Sequence, residues 1–488
     1  MSDTLTALDG TFLELEDSSD GALMHIGGVA VFDPLPGGTT PTLAQIRDLV
    51  EERLADLPRF RKRLSNERTA RWSWPQWVDD EHFTVADHVG RAALPSPGGT
   101  AELEAWIADF YSHRLDRTRP LWEMVLLEGL TDGRWALAQK LHHCLVDGVG
   151  SVGVTELLLD TDPAPPLSGP VAPAPSGSSD SIWHWLLPTP PASVAQATRS
   201  GTGAATAALR AMLRPRETMS RSKLLAELIL ADEVVGAPSC SLNVAIGPSR
   251  RYAAVSYPLE ELLAIRNALG GSMNDVVLSI CTAGLRRLLQ ERGEELPAAG
   301  LRAMVPVNLR AAAESLSLGN RVGSLFVELP VAEPVAAVRH RQIVDATVAL
   351  KNRGAGQASA TLVDLAALAP PLVHASLARL LFGSRLFNLT ITNVRGAQAP
   401  RYAFGARMRD IHPIVPLAAE HAVAIAVVSH DGGVTFGLNA DRESTPDLAV
   451  LANGMREGFA DLQAASGLHL PARKPGSRGR RVTAAPKH

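Results

Sequence analysis

A segment rich in proline, alanine, glycine and serine, between roughly Thr161 and Ser239, divides this chain of 488 residues into two parts. Runs such as Pro163-Ala-Pro-Pro166 resist regular secondary structure. On both sides of the segment, strand-like and helix-like patterns alternate, which is typical of α/β proteins. A chain of this length can bury sizeable cores in two to three domains. The sequence therefore predicts two α/β lobes joined by an irregular linker or crossover.

The predicted boundaries follow these changes in composition. Residues 1–160 form an N-terminal lobe, 161–239 the linker, 240–470 a C-terminal lobe, and 471–488 a basic tail. Period-two alternation of apolar residues predicts most of the strands. Those that matter below are Ala22–Phe32, Trp122–Leu130, Arg134–Leu141, Arg251–Tyr257, His421–His430 and Val434–Asn439. The last two flank Asp431-Gly432, a hairpin turn signal.

Two adjacent histidines follow one of these strands, in the motif His142-His143-Cys144-Leu145-Val146-Asp147-Gly148. Consecutive side chains in extended backbone point to opposite faces, so only one imidazole can face a given cavity. A neutral imidazole is well suited to remove a hydroxyl or thiol proton near neutral pH. Asp147 is placed to hold the loop in shape, and Gly148 allows a tight turn beside it. The motif therefore contains a candidate general base.

The residues alone leave other interpretations of the motif open. The histidines could be structural, or could bind a metal ion, although no third cluster of ligands lies nearby in the sequence. His142 and Asp147 also fit the His-x4-Asp pattern of membrane-bound glycerolipid acyltransferases. A covalent acyl-cysteine is disfavoured because Cys144 has apolar neighbours and no helix start to lower its pKa, which favours a small buried side chain. The glycines of Gly148-Val-Gly150-Ser-Val-Gly153 match a dinucleotide fingerprint, but no second parallel strand is predicted after them.

Composition limits the partners and the compartment. The formal net charge of −4 gives no reason to expect binding to nucleic acid. Three widely spaced cysteines form neither a disulfide framework nor a zinc ribbon, and they suit a reducing cytoplasm. No signal peptide is predicted at the N-terminus. Charges and prolines interrupt the longest apolar stretch, Leu362 to Phe382, so we expect a soluble or peripheral protein.

A second polar pair, Asn274-Asp275, stands at the start of the helix predicted after Ser272. Asn274 continues the apolar stripe of that helix by one turn, so we expect its amide to face inward. A buried amide needs partners, which makes Asn274 either a structural clasp or a ligand contact. Asp275 is interpreted as a charge that complements the helix dipole.

An ordered set of short motifs from Leu5 to about Asp447 resembles the bacterial wax ester synthase/diacylglycerol acyltransferase family. That family belongs to the superfamily of condensation domains and chloramphenicol acetyltransferase. The carrying residues, besides His142 to Gly148 and Asn274-Asp275, are Leu8-Asp9-Gly10, Phe12-Leu13, Met24 to Gly28, Pro120-Leu121-Trp122-Glu123, Val305-Pro306-Val307, Gly319-Asn320, Thr392-Asn393-Val394, Asp431-Gly432, Phe436-Gly437 and Asp441. One departure is Val394-Arg395-Gly396-Ala397, where Arg395 and Ala397 replace the usual prolines and put fine acceptor preference in doubt.

The resemblance implies an α/β fold of two chloramphenicol-acetyltransferase-like lobes, with mixed sheets and a channel between them. His143 would be the general base that deprotonates an acceptor hydroxyl as it attacks the thioester of a long-chain acyl-CoA, with no metal or cofactor. Asp147 would structure the loop, paired with an arginine from Pro58–Arg63, and Asn274 would support the oxyanion. Pro120, Leu121 and Trp122 would support the motif strand, and His142 is expected only to pack.

Three functions are therefore compared. The first is an acyl-CoA-dependent O-acyltransferase that makes triacylglycerol from diacylglycerol, with wax esters from fatty alcohols as an optional second product. The second is a condensing acyltransferase that depends on a carrier protein, and the third is a non-catalytic lipid-binding protein. Aromatic and basic residues in the linker suit either an interfacial helix or a packed crossover helix. We expect a cytoplasmic protein that is either free or peripheral, at the inner face of the cell membrane or on lipid droplets.

Overall fold

Two six-stranded sheets organise the part of the chain that the computed structural model describes. That part comprises residues 3–5, 7–54, 57–65, 75–146, 148–163, 236–308, 322–352 and 386–467. Asp147, the tail and almost all of the predicted linker lie outside these ranges. No single described helix is long and apolar enough to cross a bilayer, and only the bent pair 259–269 and 273–291 satisfies length and composition when taken together.

Strands and helices of the first half alternate, as the sequence predicts. In chain order they are β1 (Asp3–Thr4), α1 (Ala7–Ser18), β2 (His25–Phe32), α2 (Leu43–Leu54), β3 (Lys62–Leu64), β4 (Gln76–Asp79), β5 (Val89–Ala93), α3 (Thr100–Phe110), β6 (Trp122–Glu128), β7 (Trp135–His142) and α4 (Gly148–Leu157). Single 3-10 turns lie at Pro58–Arg61, Val85–Asp87 and Thr131–Gly133.

The second half continues the alternation. Its elements are β8 (Arg250–Pro258), α5 (Leu259–Leu269), α6 (Met273–Glu291), β9 (Leu301–Asn308), β10 (Val322–Leu329), α7 (Ala336–Asn352), β11 (Leu389–Arg395), β12 (Tyr402–Ala403), β13 (Ala406–Ile414), β14 (Val423–His430), β15 (Gly433–Asp441) and α8 (Leu448–Ala465). The predicted α/β class with mixed sheets is confirmed, because both large sheets combine parallel and antiparallel pairs.

The first sheet has the order β12-β13-β2-β7-β6-β5, so the two strands at one edge, β12 and β13, come from the second half of the chain. β13 pairs antiparallel with β2, with Ile411 opposite Ala30 and a bulge between Met408 and Asp410. Met408 also packs in the same apolar core as Phe32. The predicted C-terminal lobe, 240–470, therefore contributes strands to the sheet of the predicted N-terminal lobe. Apolar alternation within a strand does not specify which strand it pairs with, so only the tertiary structure shows this crossover.

The second sheet has the order β10-β9-β11-β14-β15-β8. β14 and β15 form the predicted hairpin at Asp431-Gly432, whose φ angles of 43° and 80° are those that an Asp-Gly turn supplies. Helices α6 and α8 pack closely because glycine lies at their contact, where a Cβ on Gly458 would be 2.1 Å from the Cβ of Ala283. These helices and the sheet share a second large apolar core.

Side chains from the first half also seal the edge of the second sheet. β8 is the outermost strand there, and the carboxylate of Glu104 on α3 accepts a hydrogen bond of 2.8 Å from the backbone N–H of Ala254. Tyr252 of the same strand donates its hydroxyl to the carbonyl of Pro413 on β13, at 3.2 Å. An exposed edge strand can pair with another chain. These contacts cover the edge strand β8 and also join the two sheets.

Candidate active site

The two motif histidines lie at the end of β7, beside the start of β2. His142 is the last residue of the strand and stands directly opposite His25 in the antiparallel pair. His143 begins the turn that follows, and its backbone N–H donates to the carbonyl of Met24 at 2.8 Å. Contacts with the neighbouring Met24 and His25 therefore fix the end of β7 and the start of the turn.

His143 is half-buried, whereas His142 is only 1% exposed. The His143 imidazole stacks on the ring of Phe12 from α1, with centroids 3.8 Å apart and planes inclined by 18°. Stacking of this kind restricts rotation of the ring. His143 is thus the more accessible of the two imidazoles, and its plane is set by Phe12.

His142 does more than pack, so that expectation is wrong. Its Nδ1 accepts a hydrogen bond of 3.1 Å from the backbone N–H of Cys144, and its Nε2 lies 3.4 Å from Oε2 of Glu16. Because Nδ1 accepts this N–H, Nε2 is the ring nitrogen left to carry a proton, and it lies beside the carboxylate. The side chain therefore connects the motif turn to helix α1.

Glu16 is a carboxylate in the protein interior, only 2% exposed. Arg117 pairs with its Oε2, with the Nε–Oε2 distance at 3.1 Å, and the backbone N–H of Met24 approaches Oε1 at 3.4 Å. Burial acts to raise the pKa of Glu16, but His142, His25 and Arg117 together outweigh burial and hold that pKa well below the usual range. Glu16 is consequently a permanent negative charge behind the motif.

His25 completes this buried cluster. Its Nε2 lies 3.5 Å from Oε1 of Glu16, and the backbone N–H of Leu115 approaches the same nitrogen at 3.4 Å. Burial lowers the pKa of His25 well below its ordinary value despite the neighbouring carboxylate. The cluster therefore pairs the Glu16 carboxylate with Arg117 and places His25 beside its Oε1.

Cys144 is fully buried, as the sequence predicts for a small apolar role. Burial, followed by the negative charge of Asp9, raises the pKa of its thiol well above the ordinary value. A protonated, inaccessible thiol is a poor nucleophile. In the parts of the chain that the structure describes, no group of three or more histidine, cysteine or acidic side chains is placed to hold a metal ion.

The segment Pro120–Glu123 supports the motif strand, as expected. The carbonyl of Leu121 accepts the N–H of His142 at 3.0 Å, and the indole of Trp122 donates to the carbonyl of Phe60 at 2.8 Å. Lys140 of β7 forms an ion pair of 2.9 Å with Glu123, directly opposite it on β6. Since both neighbours of β7 run antiparallel to it, the glycines of α4 do not follow the parallel strand of a dinucleotide-binding unit.

An apolar pocket lies under α4, on the face of β7 that leads toward His143. The space free of protein atoms there, part of it open to solvent, is about 290 Å³. Its walls are Gly28, Ala30, Phe32, Leu137, Gln139, Thr155, Leu158, Leu159 and Ile411. A second pocket shares Thr155, Leu159 and Ile411 with it and reaches Gly396 and Ala397 after β11. Both sheets therefore contribute to this apolar space.

The remaining predicted site residues have separate positions. Asp147 lies outside the described residues, and its role stays a prediction. Asn274 is half-buried in the first turn of α6, in the second half of the chain. Asp275 beside it caps that helix, since its Oδ2 accepts the N–H of Ser272 at 2.7 Å and its own N–H donates back to the Ser272 hydroxyl. The interpretation of Asp275 as a helix-start charge is confirmed.

Sequence reasoning missed Glu16 and its partner Arg117. The available signal was the spacing of Phe12 and Glu16, four residues apart and hence on one face of a helix. An acidic residue on such an apolar face requires a buried partner. Nothing in the local sequence, however, indicates that Arg117 and His142 would contact this carboxylate.

Two family models match this chain, one in each half. The model of the wax ester synthase/diacylglycerol acyltransferase catalytic domain matches residues 5–277, and the C-terminal domain model of that family matches residues 318–463. The chain belongs to the wax ester synthase/diacylglycerol acyltransferase family. It is an acyltransferase, and the resemblance drawn from its motifs is confirmed.

Two curated relatives come from Mycobacterium tuberculosis. The chain is 30% identical to "Probable diacyglycerol O-acyltransferase tgs1" over 475 residues, covering 97% of this chain and 98% of the relative. It is 31% identical to tgs2, described in the same words, over 486 residues, covering 96% and 100%. Both relatives thus match this chain over nearly their whole length.

Solved structures agree on the fold. The wax ester synthase/diacylglycerol acyltransferase from Marinobacter aquaeolei VT8 superposes with a TM-score of 0.65 at 29% identity, covering 95% of this chain and 100% of that one. The first condensation domain of the calcium-dependent antibiotic synthetase gives 0.61 at 17% identity, covering 96% and 97%, and shows the shared fold alone. The two-lobed architecture expected from the motifs is confirmed.

Proposed function

We propose that this acyltransferase moves a long-chain acyl group from coenzyme A to the hydroxyl of diacylglycerol, making triacylglycerol. Fatty alcohols are proposed as secondary acceptors that give wax esters. The tgs1 and tgs2 relatives, named as diacylglycerol O-acyltransferases, support this choice of acceptor. We propose that the reaction needs no cofactor beyond its substrates. We also propose that the enzyme is cytoplasmic and works at a membrane or lipid-droplet surface.

His143 carries the proposed mechanism. It takes the proton of the acceptor hydroxyl while the oxygen attacks the thioester carbonyl directly. The C–O bond forms and the C–S bond then breaks, and the imidazolium returns the proton to the thiolate of coenzyme A. The supporting observation is the half-buried His143 directly after β7, whose imidazole stacks on Phe12 and whose backbone N–H donates to the Met24 carbonyl.

Two further residues have proposed roles in this step. Asn274 would donate its amide to the oxyanion that forms on the thioester carbonyl. Asp147 would keep the turn that presents His143 in its working shape. A covalent intermediate on Cys144 is not part of the proposal, and the buried thiol with its raised pKa supports leaving it out.

The test is acyl transfer by purified His143→Ala. One labelled long-chain acyl-CoA is offered together with diacylglycerol and hexadecanol, and the products are separated by thin-layer chromatography. Loss of a general base is expected to lower kcat by about 10²- to 10⁴-fold, with triacylglycerol the main product of the unchanged enzyme. His82→Ala, at an exposed position of the same lobe, is the matched control and keeps its activity.

Survival of transfer in a folded His143→Ala variant would show that the assigned base is wrong. Two other functions remain as outcomes of the same assay. The likeness to a condensation domain makes a carrier-bound acyl donor the second candidate, and faster transfer from a phosphopantetheinyl carrier protein than from acyl-CoA would favour it. Lipid binding without release of thiol would instead indicate a non-catalytic lipid-binding protein.

A further inference from the structure

We propose that Glu16 is a positioning residue for His143 and acts through His142. The inference rests on the proposed role of His143 as the base. It concerns a carboxylate that the reaction itself does not require, yet one that is buried and contacts the motif. Leaving a charge in the interior is costly unless it is paired and hydrogen-bonded, so such a group calls for an explanation.

The first link runs through the tautomer of His142. Glu16 lies 3.4 Å from Nε2 of His142 and draws the ring proton to that nitrogen. Nδ1 is then free to accept the N–H of Cys144, at 3.1 Å. The turn that contains His143 therefore closes on one nitrogen of a ring whose other nitrogen lies beside Glu16.

A second contact, to the backbone of Met24, keeps the same carboxylate in place. The Met24 N–H points to Oε1 of Glu16 at 3.4 Å, while its carbonyl accepts the N–H of His143 at 2.8 Å. The peptide groups on both sides of Met24 thus set the spacing between the carboxylate and the base, and the Oε1 of a glutamine at position 16 can accept the same N–H. Phe12, which stacks on His143, lies four residues before Glu16 on the same helix. Helix α1 consequently contacts both histidines of the motif.

Glu16→Gln keeps the shape of the side chain and removes its charge. Arg117 retains an ion pair of 2.7 Å with Asp17, so the substitution does not leave a guanidinium without a carboxylate. The amide can present a donor to His142 Nε2, which favours the other tautomer and competes with the Cys144 N–H for Nδ1. A shift of the turn by a fraction of an ångström would misplace His143, and errors near 1 Å can cost about 10²-fold in rate.

The experiment measures kcat and KM for acyl-CoA in four proteins: the wild type, Glu16→Gln, His142→Gln and the double variant. We expect kcat of Glu16→Gln to fall about 10- to 100-fold while KM changes less than about twofold. If Glu16 acts through His142, the double variant is no slower than the slower single variant. Glu128→Gln is the matched control, because it removes an ion-paired carboxylate at the far end of β6, and its kcat is expected to stay unchanged.

Folding is checked by circular dichroism, and rates are expressed per folded enzyme. An unchanged kcat in folded Glu16→Gln, or losses that multiply in the double variant, would overturn the inference. Should Glu16→Gln not fold, His142→Gln decides the question, since an unaltered kcat there would also exclude the route. His143→Ala separates the two proposals: if it retains activity the proposed function fails, whereas an inactive His143→Ala with a fully active Glu16→Gln refutes only the positioning role.

Discussion

Lys140 provides the sharpest test of how the motif strand is held in place. Its side chain is 1% exposed on β7, and Nζ donates to the carbonyls of Phe110 and His113 at 3.0 and 3.3 Å. The ammonium also pairs with Glu123 at 2.9 Å and lies 4.1 Å from the ring centroid of Phe110. One cation therefore ties β7 to β6 and to the end of α3, and we consider the substitution Lys140→Met.

The magnitude follows from what each partner loses. Methionine fills the volume of the stem, but it leaves two carbonyls near the end of α3 without their donor, at about 1–3 kcal/mol each. Part of this loss is offset, since the charged form of Lys140 need no longer be desolvated; burial already lowers the pKa of Lys140. We expect the free energy of unfolding to fall by about 2–4 kcal/mol. Glu123 is 39% exposed, so Glu123→Gln should cost less than about 1 kcal/mol.

Urea denaturation followed by tryptophan fluorescence measures both variants. The midpoint should fall clearly in Lys140→Met and only slightly in Glu123→Gln, with the m-value unchanged in each. Equal losses in the two variants would mean that the Glu123 ion pair, rather than the α3 carbonyls, dominates. A Lys140→Met variant as stable as the wild type would refute the reasoning, because the desolvation of the ammonium would then cancel all of its contacts.

Two further predictions concern packing and pH. Gly458→Ala places a Cβ 2.1 Å from that of Ala283 between α8 and α6, so the free energy of unfolding should fall by about 1–3 kcal/mol, and an unaltered urea midpoint would contradict this. Burial raises the pKa of Glu104 above its ordinary value of 4.5, so the stability that this carboxyl contributes is fully present below pH 4.5 and is lost as the pH rises through the folded-state pKa. Glu104→Gln should therefore gain stability relative to the wild type between pH 4 and pH 7, and parallel stability curves would exclude the effect.

Several features of this fold follow from residues close together in sequence. Thr42 and Gln45 form a capping box at the start of α2, a local sequence signal, with the Thr42 N–H donating to Gln45 at 2.9 Å. The helix after Ser272 and the Asp431-Gly432 hairpin likewise form where expected. Such signals succeed because the interacting groups lie within a few residues, so the local backbone conformation alone brings them together.

Pairing between distant strands could not be read from the local sequence in this way. β13 joins the first sheet beside β2, although its position in the chain assigned it to the C-terminal lobe. A strand with one apolar face can satisfy its backbone on the edge of either sheet, and the choice depends on which core its side chains complete. Met408 completes the core that contains Phe32, a fact that no window of sequence around either residue contains.

The same division applies to the candidate site. The period of a strand was enough to give His142 and His143 different faces, and the family resemblance was what proposed His143 as the base. The carboxylate behind them was beyond such reasoning, because Glu16 meets His142 and Arg117 only after α1, β2 and β7 have packed. Local sequence specifies backbone conformation and the chemistry of a side chain, whereas the charges, tautomers and stacking around that side chain depend on residues that folding brings from elsewhere.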